Sequence, residues 1–263
     1  PEYLHIFKMS SLALFLVIAQ GALGGITVIY RLPTIVSTSH LGLSLVFFST
    51  LIYINHKATK ALERFKGLSE ETKQLIKNNW RPVLRHGILF SLVMLFLQIL
   101  LGAFMRHAGA GAACGIGPSN ALLCRDFETL GLSFWPHLPQ AQLHFVHRFY
   151  ALIVFVVVSF FSIKTSHFFK SSKKIKFISL LPFLFISFQV FIGILAVAFN
   201  LSVLPTTLHL AGAALCVGAL WKLNLFLKII WLISLYGIIF FVICLACKTG
   251  KTQNLSLDSK IFK

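Results

Sequence analysis

Seven runs of nearly continuous apolar residues, at roughly 10–30, 35–55, 86–105, 143–163, 176–199, 206–223 and 228–247, recur along the chain. Each approaches the ~20 residues that carry a helix across ~30 Å of hydrocarbon. A backbone in lipid must satisfy its own hydrogen bonds, which leaves helices or closed barrels. The alternating segments of about ten residues that build a barrel are absent. The pattern therefore predicts an all-α fold, a polytopic membrane helical bundle, in which the seventh run either crosses or re-enters. Composition agrees: 57% of residues are hydrophobic and 12% charged, whereas soluble domains hold about 45–50% and about 25%. A water-soluble enzyme is excluded.

Lys and Arg number 24 against 7 Asp and Glu, a formal net charge of +17. In a soluble protein this excess would suggest nucleic acid. Here it sorts by loop, and no nucleic-acid partner is expected. Lys57, Lys60, Arg64, Lys66, Lys73, Lys77, Arg81 and Arg85 crowd one connection, and Lys164, Lys170, Lys173, Lys174 and Lys176 another. The alternate connections carry only Arg31, Arg106 and Arg125. Basic loops stay cytoplasmic, which predicts a multi-pass protein of a bacterial plasma membrane with 106–142 outside. Lys248, Lys251, Lys260 and Lys263 would face the wrong side if 228–247 crosses. The chain opens at Pro1 with no cleavable signal pattern, and reads as a piece of a longer protein.

Two stretches repeat in form. Gln20 to Val28 contains Gly24 and Gly25 and is followed by Leu32-Pro33 and His40-Leu41; Gln189 to Val197 contains Gly193 and is followed by Leu204-Pro205 and His209-Leu210. Glutamine and histidine lie twenty positions apart in both. The glycines alone would only mark close helix packing. Matched spacing on matched topology predicts tandem four-helix units, the first incomplete, with two helices expected upstream of Pro1. The organisation then reads as 1–56, the last two helices of the first unit; 57–85, a basic linker; 86–227, a complete four-helix unit; and 228–263, an additional apolar segment and basic tail.

Among ten histidines, His5, His56, His86 and His167 fall at cytoplasmic helix ends or in basic loops, where solvated side chains are expected. His107 and His137 border the long outer loop. His40, His144, His147 and His209 instead occupy the first turns of inward-running helices, and ionisable groups at membrane depth usually face the bundle interior. Two imidazoles from facing helices can hold a haem iron through both axial positions, which singles out His147 and His209. Arg148 suits a haem propionate. His144 shares a face with His147 as a rival ligand, one turn nearer water and better placed for a polar rim. The alternative is that these histidines merely hydrogen-bond between helices. Zinc fits less well, since His-Glu-x-x-His and Cys-x-x-Cys are missing. Glu63, Glu70, Glu71, Asp126 and Glu128 all lie in loops, so no intramembrane carboxylate pair serves acid–base chemistry.

Cys216, Cys244 and Cys247 sit in apolar runs and read as small hydrophobes. Cys114 and Cys124 share the outer loop, on the oxidising side, where a disulfide is reasonable. It would serve either as a staple over the helix ends or in exchange with an external thiol partner.

Together these residues resemble the haem A synthases, which act in cytochrome oxidase assembly. The likeness rests on Gln20 to Gly25 with His40, Arg106-His107 opening a loop with Cys114 and Cys124, His147-Arg148, and Gln189 to Gly193 with His209, over nearly all of 10–222. It implies eight helices in two pseudo-symmetric halves. It implies haem b held in the C-terminal half by His147 and His209, and substrate haem O in the N-terminal half with His40 as one of its two histidines. The reaction would be stepwise oxidation of the C8 methyl of haem O to the formyl of haem A, at the outer face. Haem O synthase and a thiol–disulfide protein are the partners it implies beside the bilayer, and the paired loop cysteines match those thought to be bonded in the bacterial branch. The family's Glu-x-x-His motif, whose carboxylate is thought important in catalysis, belongs to its second helix and has no counterpart here. Glu2-Tyr3-Leu4-His5 copies its letters on the wrong side of the membrane. No catalytic residue is therefore assigned within this chain, and half a substrate site should not turn over alone. Two other readings are a bis-histidine electron-transfer subunit without oxygenase activity and a repeat-built transporter.

Overall fold

The computed structural model describes residues 2–31, 33–58, 82–117, 124, 135–170 and 172–227. Six helices among them are long and apolar enough to cross a membrane: α1 (Glu2–Ile29), α2 (Thr34–Ala58), α3 (Pro82–His107), α4 (Pro139–Phe168), α5 (Lys173–Ala198) and α6 (Val203–Leu227). The described residues are otherwise turns and one short 3₁₀ segment, Ala110–Ala112. The expected run 228–247, with Cys244 and Cys247, lies outside the described residues, as does most of the basic linker.

Helix ends follow local chemistry. Pro139 opens α4 behind an extended Leu138, the position where a missing N–H and a fixed φ cost nothing. Gln142 then folds back, its Nε2 donating to the Pro136 carbonyl at 2.9 Å. Between α5 and α6, Asn200 and Leu201 both take positive φ, 55° and 56°. That reversal lets the Leu201 N–H reach the Ala196 carbonyl at 2.7 Å, closing the end of α5.

Successive helices pack as antiparallel neighbours: α1 on α2, α2 on α3, α3 on α4 and α4 on α5. Helix α6 closes on α5 through Gly193 and Gly212, and on α2 through Gly218, which lies against Phe48. The Trp221 indole also donates to the Ser49 carbonyl at 2.9 Å. The core lies inside α3–α6, where Ile88, Val154, Val158, Cys216, Val217, Leu220 and Leu223 are essentially inaccessible and Leu45 joins them from α2. Large apolar side chains are exposed around the outside, among them Phe15 and Phe149. In water so much exposed apolar surface would aggregate; against lipid it costs nothing.

One polar pairing in this interior repairs a break in a helix. Pro182 stands inside α5 and removes one rung of its ladder. From α4, the Ser162 hydroxyl donates to the Ser179 carbonyl and accepts from the Phe183 N–H at 3.3 Å. One hydroxyl thus bridges the donor and acceptor that an unbroken α5 would join directly.

Candidate functional site

The same arrangement appears in three helix pairs. Gln20 on α1, Gln98 on α3 and Gln189 on α5 each precede a glycine by four residues, Gly24, Gly102 and Gly193. One helical turn apart, glutamine and glycine share a face, and that face meets an imidazole on the next helix. A Cβ at Gly24, Gly102 or Gly193 would stand 3.3, 2.7 or 3.2 Å from Cε1 of His40, His147 or His209 respectively. Glycine is what lets the Cε1 edge of each ring press against its neighbour's backbone.

The glutamines differ in what they hold. Gln20 Nε2 donates to the His40 carbonyl at 2.9 Å. Gln98 Nε2 donates to the His147 carbonyl at 3.0 Å and also lies 3.1 Å from His147 Nδ1. Gln189 packs its amide against Gly212, and its buried Nε2 has no hydrogen-bond partner. Sequence reasoning found the first and third of these units and missed the second, because a long loop stretches glutamine to histidine to 49 positions instead of 20. The signal that could have found it is Gln-x-x-x-Gly, which the three odd-numbered helices share.

His40 and His209 are each the seventh residue of their helix and His147 the ninth, so all three lie near the same end of the bundle. His147 and Arg148 adjoin on α4, and His144 lies one turn before them. Nδ1 of His40, His144 and His209 is buried without a hydrogen-bond partner. A buried ring nitrogen left in this way is costly unless it takes a ligand itself or gains a hydrogen-bond partner. Among the described residues no three of His, Cys, Asp and Glu gather. Paired imidazoles suit a metal whose remaining ligands arrive with it.

Two histidines depart from expectation. His144 is only 3% exposed, because the 3₁₀ turn at Ala110 folds over it; it is no water-facing rim residue. His56 is 8% exposed, although it ends α2 on the basic side. His5, by contrast, is exposed and faces Tyr53 with ring centroids 5.9 Å apart, and His86 and His167 are exposed as expected.

Cys114 and Cys124 form a disulfide. The Gly117 N–H donates to the Val197 carbonyl at 3.0 Å, and Thr34 Oγ1 donates to the His107 carbonyl at 2.9 Å. The turn thereby ties α3, α5 and the start of α2 across the end that carries the histidines. Cys114 is 0% and Cys124 9% exposed. Exchange with an outside thiol requires access to a sulfur, so this burial favours a staple.

The family described as "Cytochrome oxidase assembly protein" matches residues 4–221, from the start of α1 to the last turns of α6. The chain belongs to this family. Among its relatives, "Heme A synthase" of Bacillus cereus (strain 03BB102) is 23% identical over 210 residues, covering 79% of this chain and 62% of that one. The protein of the same name from Symbiobacterium thermophilum is 28% identical over 158 residues, 60% of this chain and 47% of its own length. That of Macrococcus caseolyticus is 24% identical over 204 residues, 78% and 63% respectively. The chain thus spans under two thirds of the length of these relatives. The cytochrome oxidase assembly family match ends short of 228–263, where the sequence already exceeds the expected repeat.

Proposed function

We propose that this chain is the greater part of a haem A synthase, oxidising the C8 methyl of haem O to the formyl group of haem A for cytochrome oxidase. The observation that carries the proposal is the threefold glycine-backed imidazole, combined with relatives that bear that name. His147 and His209 would hold a resident haem b, and Arg148 would pair with one of its propionates. His40 is one ligand of the substrate haem O. Bound in such a bundle, haem supplies one-electron redox chemistry whose potential is set by its axial ligands and its burial.

The protein's own contribution is positional. Gly24, Gly102 and Gly193 make room for the rings, while Gln20 and Gln98 anchor the main chain at His40 and His147. The bonded turn Cys114–Cys124 closes the end of the bundle where these rings lie, which by loop charge is the outer face. The carboxylate required by the family's Glu-x-x-His motif is not expected within this chain. The described helices correspond to a four-helix unit, α3–α6, and to half of a second, α1–α2. Haem O synthase and a thiol–disulfide protein remain the partners this reading implies.

The test is to express the complete gene in membranes supplied with haem O and to analyse the extracted haems. Formation of haem A supports the proposal. Retained haem b with no conversion would instead identify a bis-histidine electron-transfer subunit.

A further inference from the structure

Of the three glutamines that face the histidines, only Gln98 reaches a ring nitrogen. Its amide nitrogen lies 3.1 Å from His147 Nδ1 and 3.0 Å from the His147 carbonyl, and its Oε1 is buried with no partner. No side chain holds Nδ1 of His40 or His209. The His147 ring is therefore the one whose proton position is controlled by another side chain.

A neutral imidazole that gives Nε2 to iron carries its proton on Nδ1, and that N–H needs an acceptor. A primary amide can meet Nδ1 in either sense, because half a turn about its last bond exchanges oxygen and nitrogen with almost no change in shape. With nitrogen toward the ring, Nδ1 accepts and the proton resides on Nε2, where it blocks a metal. With oxygen toward the ring, Nδ1 donates and Nε2 is free to bind. The second sense gives Oε1 a donor, at the cost of setting it against the His147 carbonyl oxygen and leaving the Gln98 Nε2 in the place that has no partner.

We propose that Gln98 is a positioning residue for His147, whose amide orientation selects the ring nitrogen offered to iron and sets how strongly His147 donates to it. The inference rests on the haem reading of His147 given above. It makes the two histidines that would hold the haem unequal: His147 is tuned by a side chain one helix away, whereas His209 is positioned by packing against Gly193.

The experiment compares the complete gene product, purified with its haem, as wild type, Gln98→Glu and Gln98→Leu. Haem content, the midpoint potential of the bound haem and its low-spin electron paramagnetic resonance signature are measured. Leucine leaves the Nδ1–H without an acceptor, so haem affinity falls about 10–100-fold and the potential rises. An ionised glutamate accepts only, so haem binding is restored and the potential falls below that of wild type. Equal potentials and spectra in all three haem-loaded proteins would overturn the inference while leaving haem ligation by His147 intact. Equal loss of haem from both variants would overturn it as well, because a purely structural role gives no rescue by glutamate. A wild type that binds no haem would overturn the haem reading and this inference together.

Discussion

Gly102 on α3 and His147 on α4 approach so closely that a methyl group cannot fit between them: a Cβ on Gly102 would lie 2.7 Å from the imidazole Cε1. The neighbouring atoms at that point belong to a ring that is itself held by Gln98. The ring therefore cannot yield without breaking its contact with the Gln98 amide.

Gly102→Ala accordingly displaces the His147 ring. Overpacking of this kind costs about 1–3 kcal/mol, and the expected outcome is loss of most of the bound haem, read from the optical spectrum of the purified protein. Gly25→Ala is the matched control, because nothing lies within 4 Å of a Cβ there. Equal haem in the two variants would show that the close approach is incidental.

Ser162→Ala tests the bridge across the proline break in α5. It leaves the Ser179 carbonyl and the Phe183 N–H without the hydroxyl that serves both. A buried group left unsatisfied costs about 1–3 kcal/mol. Unfolding in mixed detergent micelles should shift accordingly, and an unchanged midpoint would mean that α5 closes its own ladder.

Replacing both Cys114 and Cys124 with serine should destabilise the fold by about 2–3 kcal/mol in the chain-entropy model for so short a loop, while haem remains bound. In the folded wild type the bond should resist mild thiol reductants, since neither sulfur is accessible enough for ready attack. Rapid reduction without unfolding would favour exchange with an external thiol partner over the staple.

The membrane fold was legible in the sequence because lipid demands the same thing of every span: twenty or so apolar residues and a self-satisfied backbone. Helix length was not. Hydropathy marks only the part of a helix that contacts hydrocarbon, so the run at 143–163 proves to be the middle of Pro139–Phe168, whose polar ends continue the same helix. The repeat at Gln20–His40 and Gln189–His209 was visible as a fixed spacing, whereas Gln98–His147 was hidden by the length of the intervening loop. His56 and His144 could not be placed from sequence at all. Their burial depends on which neighbour folds over them, and a lone histidine near a helix end looks the same whether it is covered or solvated.

Trp221→Phe removes the bond from α6 to the Ser49 carbonyl of α2 while keeping an aromatic ring. A cost of about 1 kcal/mol is expected, measured by the same micelle titration, with haem content unchanged because the site lies toward the other ends of these helices. Loss of haem in this variant would show that the α2–α6 contact positions His209.

The central claim is that His147 and His209 hold one iron porphyrin between them, and the most direct measurement is haem content by pyridine haemochrome, with low-spin optical spectra, on wild type, His147→Ala and His209→Ala. Each substitution is expected to abolish the bis-histidine low-spin signature and lower bound haem b at least tenfold, with the protein still folded in the membrane. Undiminished low-spin haem b in both variants would contradict the account.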